Sequence, residues 1–457
     1  MSLSIVILAA GQGTRMKSAR PKVIHELAGK PLLQHVVDSC RALEPEQIIA
    51  VTGHAAEQVH AAMQGQDLSF VEQAEQLGTG HALAQCLDAI TPGNDVLVLF
   101  GDVPLVRAET MARIIEAADD AAVRILSFIP ESPFGYGRIL RQQDDSVRAI
   151  VEHKDASQEQ LGIGECFSGI MSIRGDSLHQ LVTSLDNKNA QGEYYLTDVV
   201  DIAVANGSKV SAILCVDPGE VSGINNQQQL AAVEALYRAR QVDTLMTQGA
   251  KIFDPARIDI RGEIKLGRDV QIDVNCVFEG NVELGDNVRI GANCVIRNSS
   301  IAADSEIKPM TSIDEAVIGR GVSIGPFARI RPGTECDDEV KIGNFVETKQ
   351  ARIGKGSKVS HLSYIGDTEM GSAVNIGAGT ITCNYDGVNK HKTVIGDGVF
   401  IGSDTQLVAP VTVESNATIG AGSTITRNAP ADKLTVSRAK QVTIDSWTKP
   451  VKQSGDS

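Results

Sequence analysis

Short apolar runs alternate with polar stretches of 3.6-residue spacing over the first ~225 positions, the pattern of strands and helices in turn. Residues 5–8, 48–52, 96–100 and 123–128 read as buried strands, each expected to lead into a helix. That alternation predicts a mostly parallel sheet covered by helices, in which ligands sit at the carboxyl ends of the strands. Leu230, Val233, Tyr237, Leu245 and Met246 then fall on helical spacings, with Gly249 just beyond. They predict a connecting helix closed by a glycine.

From about Ile260 the period changes to six. Leu266, Ile272, Phe278, Leu284, Ile290 and Ile296 carry it, and it recurs in Ile395, Ile401, Leu407, Val413, Ile419 and Ile425. Many of these aliphatics precede a glycine, as in Ile318-Gly319 and Ile342-Gly343. Six is not a multiple of the helical period, and ordinary alternating strands would repeat every two residues with turns at irregular spacing; a steady six is the signature of a parallel β-helix, a prism with the aliphatics stacked inside. The period slips by one at 296–301 and 313–318, read as turn adjustments, and its phase is expected to be lost over 344–349. Residues 382–393 are too long and polar for one coil edge and read as an insertion; such insertions gather on one face of a solenoid. After Ala429 the chain leaves the repeat, as a helix or strap. The expected organisation is a nucleotide-binding α/β domain over 1–226, a linker helix over 227–249 and a β-helix with its tail over 250–457.

Composition narrows the function. The 457 residues are 42% hydrophobic and 22% charged, an ordinary globular balance, while aromatics are only 4%, which suits a narrow prism of Ile, Val and Ala. A formal charge of −15 disfavours a nucleic-acid groove, which needs a basic stripe. Eight cysteines without a C-x-x-C pair suggest neither a zinc ribbon nor a dithiol site, and fit reduced thiols in cytoplasm. The N-terminus lacks a basic n-region, and no apolar run approaches a membrane span.

Two stretches carry chemistry. The first strand runs into Ala9-Ala10-Gly11-Gln12-Gly13-Thr14-Arg15-Met16, with Pro21-Lys22 close behind. Glycines there admit phosphate oxygens to backbone N–H groups, and Arg15 and Lys22 supply positive charge. It is neither a Walker loop nor a complete dinucleotide fingerprint, and a glycine pair after a strand is also an ordinary turn. The third run ends in Gly101-Asp102, placing one carboxylate at a strand's carboxyl edge; one carboxylate with phosphate oxygens suits Mg2+, while a helix N-cap is the plainer alternative. Gln73 and Gly78-Thr79 lie in a polar loop able to read a base edge.

In the repeat, Arg331 and Lys349 are 18 residues apart, one prism turn, so both cations are expected on one edge, as a phosphate would want. Either alone could be solvated surface charge. His361 follows twelve residues on, at an adjoining edge, a candidate base of near-neutral pKa for removing a proton from an ammonium, and the three are expected to share a cleft, within one chain or between neighbouring chains. His391, in the insertion, competes for that role.

Leu8 to Met16 with Pro21-Lys22, Glu75-Gln76-Leu77-Gly78-Thr79-Gly80-His81, Gly101-Asp102-Val103-Pro104-Leu105, Gly135-Tyr136-Gly137-Arg138, Val151-Glu152-His153-Lys154-Asp155 and Gln191-Gly192-Glu193-Tyr194-Tyr195-Leu196-Thr197-Asp198 resemble the sugar-1-phosphate nucleotidyltransferases. Joined to the hexapeptide repeat, they resemble over nearly the whole chain the bacterial bifunctional N-acetylglucosamine-1-phosphate uridylyltransferases and glucosamine-1-phosphate N-acetyltransferases. The resemblance implies a Rossmann-like domain followed by a left-handed β-helix. It implies cytoplasmic synthesis of UDP-N-acetylglucosamine, a peptidoglycan and lipopolysaccharide precursor, from glucosamine-1-phosphate, acetyl-CoA and UTP, through N-acetylglucosamine-1-phosphate, in a homotrimer.

For site residues, the resemblance implies that Leu8, Ala9, Ala10, Gly11, Gln73, Gly78, Thr79, Phe100 and Gly101 hold the uridine nucleotide with Lys22 near its phosphates. Asp102 and Asn225 would hold Mg2+, and Gly137, Glu152 and the segment at Phe167 would meet the sugar. Arg331, Lys349, Tyr364 and Asn375 would bind the acetyl acceptor, and Ala378, Asn384, Tyr385, Ser403, Ala421 and Arg438 would bind acetyl-CoA. Phe167 stands where the family usually has Asn, Phe100 where Tyr is common, and Ser222 where Glu is usual. A monofunctional nucleotidyltransferase whose β-helix serves assembly, and a non-catalytic regulatory subunit, are the competing readings.

Overall fold

The computed structural model describes residues 2–117 and 120–452, so the final residues of the expected tail, 453–457, lie outside the described residues. The chain forms two compact units that divide between Arg240 and Gln241.

The first unit is built on a sheet of nine strands: β1 (Leu3–Leu8), β2 (Gln47–Thr52), β3 (Ser69–Glu72), β4 (Asp95–Phe100), β5 (Val123–Phe128), β6 (Arg138–Arg141), β7 (Val147–Val151), β8 (Cys166–Ile173) and β9 (Val210–Leu214). The order is β9-β5-β8-β4-β1-β2-β3, with β6 and β7 attached as a hairpin beside β8. The central strands are parallel, and β8 runs antiparallel to both β4 and β5. All six residues of β1 are buried, as a strand covered on both faces requires. Helices cover the sheet, among them α1 (Leu32–Arg41), α2 (Ala108–Ile115) and α3 (Asp198–Ala205). One expectation fails. β5 leads into the β6–β7 hairpin instead of a helix, because Pro130, Pro133, Gly135 and Gly137 punctuate the stretch after it, where helical spacing was expected.

Helix α4 (Gln227–Thr247) begins in the first unit and ends in the second. Its end is a Schellman closure: Ala250 N–H bonds Leu245 C=O, Gly249 N–H bonds Met246 C=O, and Gly249 has φ +104°. Val242 and Leu245 join the core at the start of the β-helix.

The second unit is a parallel β-helix. One face is a sheet of 11 strands; the other two faces are joined into a sheet of 15 by strands that pass round a corner, such as Glu347–Ile353 and Tyr364–Met370, counted among the described residues. The six-residue aliphatics point inward, and Ile272, Ile290, Ile307, Ile324 and Ile342 form one buried column. Each such side chain contributes roughly 1.5–3 kcal/mol on burial.

The phase expected to be lost at 344–349 is kept. Thr348 takes the inward slot six residues after Ile342, and Thr382 takes the slot six after Ile376, leaving Ile381 exposed. Both hydroxyls are satisfied, Thr348 by Thr334 at 3.1 Å and Thr382 by the Gly366 N–H at 2.7 Å, so a threonine of valine's shape fits the dry interior. The one-residue slips share a cause: Asn298, Glu315, Gln350 and Asp367 turn one corner with φ of 41–46°. Past Ala429 the chain adds one more strand, Leu434–Thr435, paired with Thr418–Ile419, and then runs on as an exposed extended strap without a helix.

Candidate functional site

In the first unit, β1 and β4 lie side by side, with Leu8 opposite Phe100 and the Gly101 N–H donating to Leu8 C=O at 3.0 Å. The loops that leave these two strands therefore open at one edge. A cavity of about 350 Å³ lies there, lined by Leu8, Ala9, Ala10, Gly11, Lys22, Gln73, Gly78, Thr79, Phe100, Asp102 and Asn225 among others. The structure thus gathers most of the residues anticipated for the nucleotide, at the strand ends where the sheet topology puts ligands.

Local chemistry holds each wall. Gln73 is buried and donates to Gly78 C=O at 3.0 Å, which closes the polar loop on itself. Gly78 has φ +113°, and a Cβ there would stand 2.5 Å from Tyr194 C=O, so only glycine fits. The Thr79 hydroxyl accepts the Leu196 N–H at 3.0 Å. Gln76 and Glu193 also line the cavity and were not singled out from the sequence, although both lie in motifs quoted there.

Lys22 Nζ donates to Asp102 Oδ2, with which it forms an ion pair, and stands 3.2 Å from Asn225 Oδ1. Arg15 donates to the same Asn225 oxygen at 2.8 Å. The Asp102 and Asn225 oxygens therefore converge on a position that a cation occupies. One carboxylate and one amide oxygen suit Mg2+, which takes its remaining ligands from water and phosphate. Among the described residues no group of three or more His, Cys, Asp or Glu could hold a metal by itself. Asp102 lies in a turn after β4, six residues before α2 begins, so it is not that helix's N-cap.

Gly137, Glu152 and Phe167 come together beside this cavity. Phe167 N–H donates to Gly137 C=O at 2.9 Å, and a Cβ on Gly137 would lie 3.8 Å from Glu152 Oε1. Burial raises the pKa of Glu152, opposed by the hydrogen bond it accepts from the Thr197 hydroxyl at 3.1 Å. The Phe167 ring is buried in the hydrophobic core and is not among the residues that line the cavity. Phe100 does face the cavity, its ring against Gly169, where a Cβ would stand only 2.8 Å away.

In the second unit, two groups form on different corners. Arg331 donates to Glu347 at 2.7 Å, and its N–H bonds Thr348 C=O, which sets it beside Lys349. Lys390, from the 382–393 insertion, meets Lys349 and is the first cause of that ammonium's lowered pKa. Lys390 is a further residue that the sequence reading missed, since nothing in a polar insertion shows which cation turns back to the coil. Tyr364 lies over Gly366, the register partner of Lys349, and its hydroxyl accepts from Asn384 at 3.4 Å. Asn384 also bonds Asp367.

His361 stands apart from that group. Its Nδ1 lies 2.9 Å from Asn344 Oδ1 on the neighbouring face, because the chain turns at Leu362, φ +48°, between His361 and Tyr364. The shared cleft expected for Arg331, Lys349 and His361 therefore brings together only the two cations within one chain.

His361 instead heads a ladder. Continuing the pairing of Lys358 with Asn375 and Val359 with Ile376 puts His361 opposite Ala378. Asp404 N–H donates to Ala378 C=O at 2.7 Å, Gly422 N–H to Ser403 C=O at 2.8 Å, and Arg438 Nη1 to Ala421 C=O at 2.7 Å. Ala378, Ser403, Ala421 and Arg438 thus follow one another down one edge. Asn375 sits on the same face between Lys358 and Phe400, away from Tyr364, and Tyr385 is exposed in the insertion with its hydroxyl on Gly387 C=O. His391 bonds Asp386 at 2.7 Å inside the insertion.

Comparison with known proteins agrees with both halves. Residues 5–158 match the MobA-like NTP transferase domain, residues 260–346 the GMPPB C-terminal domain, and residues 392–427 the bacterial transferase hexapeptide of six repeats. The chain is 54% identical to the bifunctional protein GlmU of Marinobacter nauticus, over 98% of this chain and 99% of that one. It is also 54% identical to that of Cellvibrio japonicus, over 99% and 100%, and 53% identical to that of Nitrosospira multiformis, over 99% and 98%.

Proposed function

The chain belongs to the bifunctional GlmU family, and on that premise we propose that it acetylates glucosamine-1-phosphate with acetyl-CoA in the second unit and joins the product to UTP in the first. Supporting both activities on one chain is the way the two residue sets gather in different units, one round the strand-end cavity and the other along the prism edges.

For uridylyl transfer, the Gln73 and Gly78-Thr79 loop holds the base, and the backbone from Leu8 to Gly11 lies along the nucleotide. Arg15 and Lys22 meet the phosphates. A phosphate oxygen of N-acetylglucosamine-1-phosphate attacks the α-phosphorus of UTP, the bond to the β-phosphate oxygen breaks, and pyrophosphate leaves. Positioning and charge neutralisation suffice, with no covalent enzyme intermediate. Mg2+ held by Asp102 and Asn225 would supply further neutralisation of the triphosphate and leaving group. Gly137 and Glu152 orient the sugar.

For acetyl transfer, Arg331, Lys349 and Lys390 take the acceptor's phosphate, and the edge from Ala378 to Arg438 takes acetyl-CoA. His361 Nε2 accepts a proton from the acceptor's ammonium, the freed amine attacks the thioester carbonyl, and the tetrahedral adduct collapses as the C–S bond breaks, the departing sulfur taking up the proton that the acylated nitrogen gives up so that CoA leaves as its thiol. Because His361 and the cations stand on different corners of one prism, we assign a complete acetyltransfer site to adjacent copies of the chain in a homotrimer. The exposed apolar column of Met310, Phe327, Phe345 and Leu362, in which the two rings stack at 5.4 Å, supports association along the β-helix. We place the enzyme in the cytoplasm: all eight cysteines are unpaired, seven of them buried, and no described helix is long and apolar enough to cross a membrane.

The test supplies glucosamine-1-phosphate, acetyl-CoA, UTP and Mg2+ together. UDP-N-acetylglucosamine should form, and should fail to form without acetyl-CoA. Product only from added N-acetylglucosamine-1-phosphate would instead make the β-helix an assembly module.

A further inference from the structure

Two separate segments deliver the oxygens that converge near Lys22. Residues 101–107 follow β4 and carry Asp102; residues 217–225 follow β9 and carry Asn225. Neither is a strand or a long helix, so their mutual position depends on what ties them together. At one end Ile224 N–H donates to Asp102 C=O at 3.0 Å. At the other, the buried carboxylate of Glu220 accepts the Thr110 hydroxyl at 2.7 Å and the Arg107 N–H at 3.3 Å, with the Arg107 guanidinium 3.5 Å away. A third tie runs through Arg240, which donates to Leu105 C=O at 2.9 Å and to Asp217 at 3.0 Å. Under these ties, Leu105 and Ile224 pack with Met16, the neighbour of Arg15, in one small buried cluster.

We infer that Glu220 is a positioning residue for uridylyl transfer: through Thr110 and Arg107 it fixes the segment bearing Asn225 against the one bearing Asp102. It touches neither substrate nor metal. A buried carboxylate is costly unless its hydrogen bonds are made, so Glu220 holds one arrangement of the two segments and opposes their sliding. This inference rests on reading Asp102 and Asn225 as the metal-holding pair.

The test uses the full-length enzyme with UTP and without sugar phosphate, so that nothing turns over, and reads Mn2+ binding by electron paramagnetic resonance. Thr110→Val and Glu220→Leu, which remove the donor or the acceptor outright, should weaken Mn2+ binding by about tenfold, the low end of what losing an outer partner of a metal ligand costs. UTP affinity without metal should stay within about twofold. Thr110→Ser, which keeps the hydroxyl, should restore the wild-type value. Asp102→Asn is the control for the underlying reading. If it leaves Mn2+ binding intact, the metal pair is wrongly assigned. If it abolishes binding while Thr110→Val and Glu220→Leu match the wild type, the metal pair stands and the positioning role is overturned. A loss in Thr110→Val that Thr110→Ser fails to rescue also overturns it.

Discussion

His361 Nδ1 and Asn344 Oδ1 lie 2.9 Å apart, across consecutive turns of the coil. With the amide oxygen turned to the ring, the tautomer that pairs with it has its proton on Nδ1 and leaves the Nε2 lone pair for the acceptor's ammonium. Asn344→Ala frees the ring to rotate and to change tautomer. Acetyl transfer should fall, though by less than the ~10² to 10⁴-fold expected when a general base is removed. Thiol release from acetyl-CoA measures it, and an unchanged rate would separate Asn344 from catalysis.

The gathering of Arg331, Lys349 and Lys390 gives a second expectation. Like charges this close repel, which is why Lys390 holds the Lys349 ammonium below its usual range, and an arriving phosphate relieves that repulsion. Lys390→Met should raise KM for glucosamine-1-phosphate by about tenfold, the worth of one hydrogen bond to a charged group, with a smaller change in kcat. Initial rates against acceptor concentration decide it.

Asp198 stands at the start of α3, and its pKa is raised to about 6, first by burial and then by Asp201, Asp186, Glu152 and Asp155. In the unfolded chain it titrates near the ordinary aspartate value of ~3.9. Between these two values the folded state holds the proton more tightly, so stability falls as pH rises from about 4 to about 6. Asp198→Asn should therefore raise Tm at pH 7.5 and give no gain at pH 3.5. Thermal unfolding at the two pH values checks the sign.

Phe167 fills core volume. Phe167→Asn would leave a gap and bury an amide, and should lower unfolding stability by about 3–5 kcal/mol. Denaturant unfolding of the first unit measures it. A variant as stable as the parent would show that the ring does not carry core packing.

These particulars also show what a bare sequence can carry. Periodicity is local and redundant, so the six-residue repeat located the buried columns, and the strands at 48–52 and 96–100 were readable from their apolar runs. Thr348 and Thr382 were misread because the period was followed through aliphatics alone, and a hydroxyl that finds a partner inside the prism is as inward as a valine. Part of the cavity was legible from strand ends and glycine loops, namely Gly11, Lys22, the loop from Gln73 to Thr79 and Asp102, whereas Phe100 and Asn225 came from the family resemblance alone. The twelve-residue offset from Lys349 already put His361 on an adjoining edge, but its ring's pairing with Asn344 was not legible, because a residue count does not say what a side chain meets. Lys390 and Glu220 were missed for a related reason, since each acts through a contact distant in sequence that no local pattern marks.

One chain carries two chemically independent transferase sites. Asp102→Ala and His361→Ala, each assayed for Mg2+-dependent pyrophosphate release and for thiol release from acetyl-CoA, test it most directly. A crossed result is expected: Asp102→Ala loses the first activity and keeps the second, and His361→Ala does the reverse. Loss of both activities in either folded variant would contradict it.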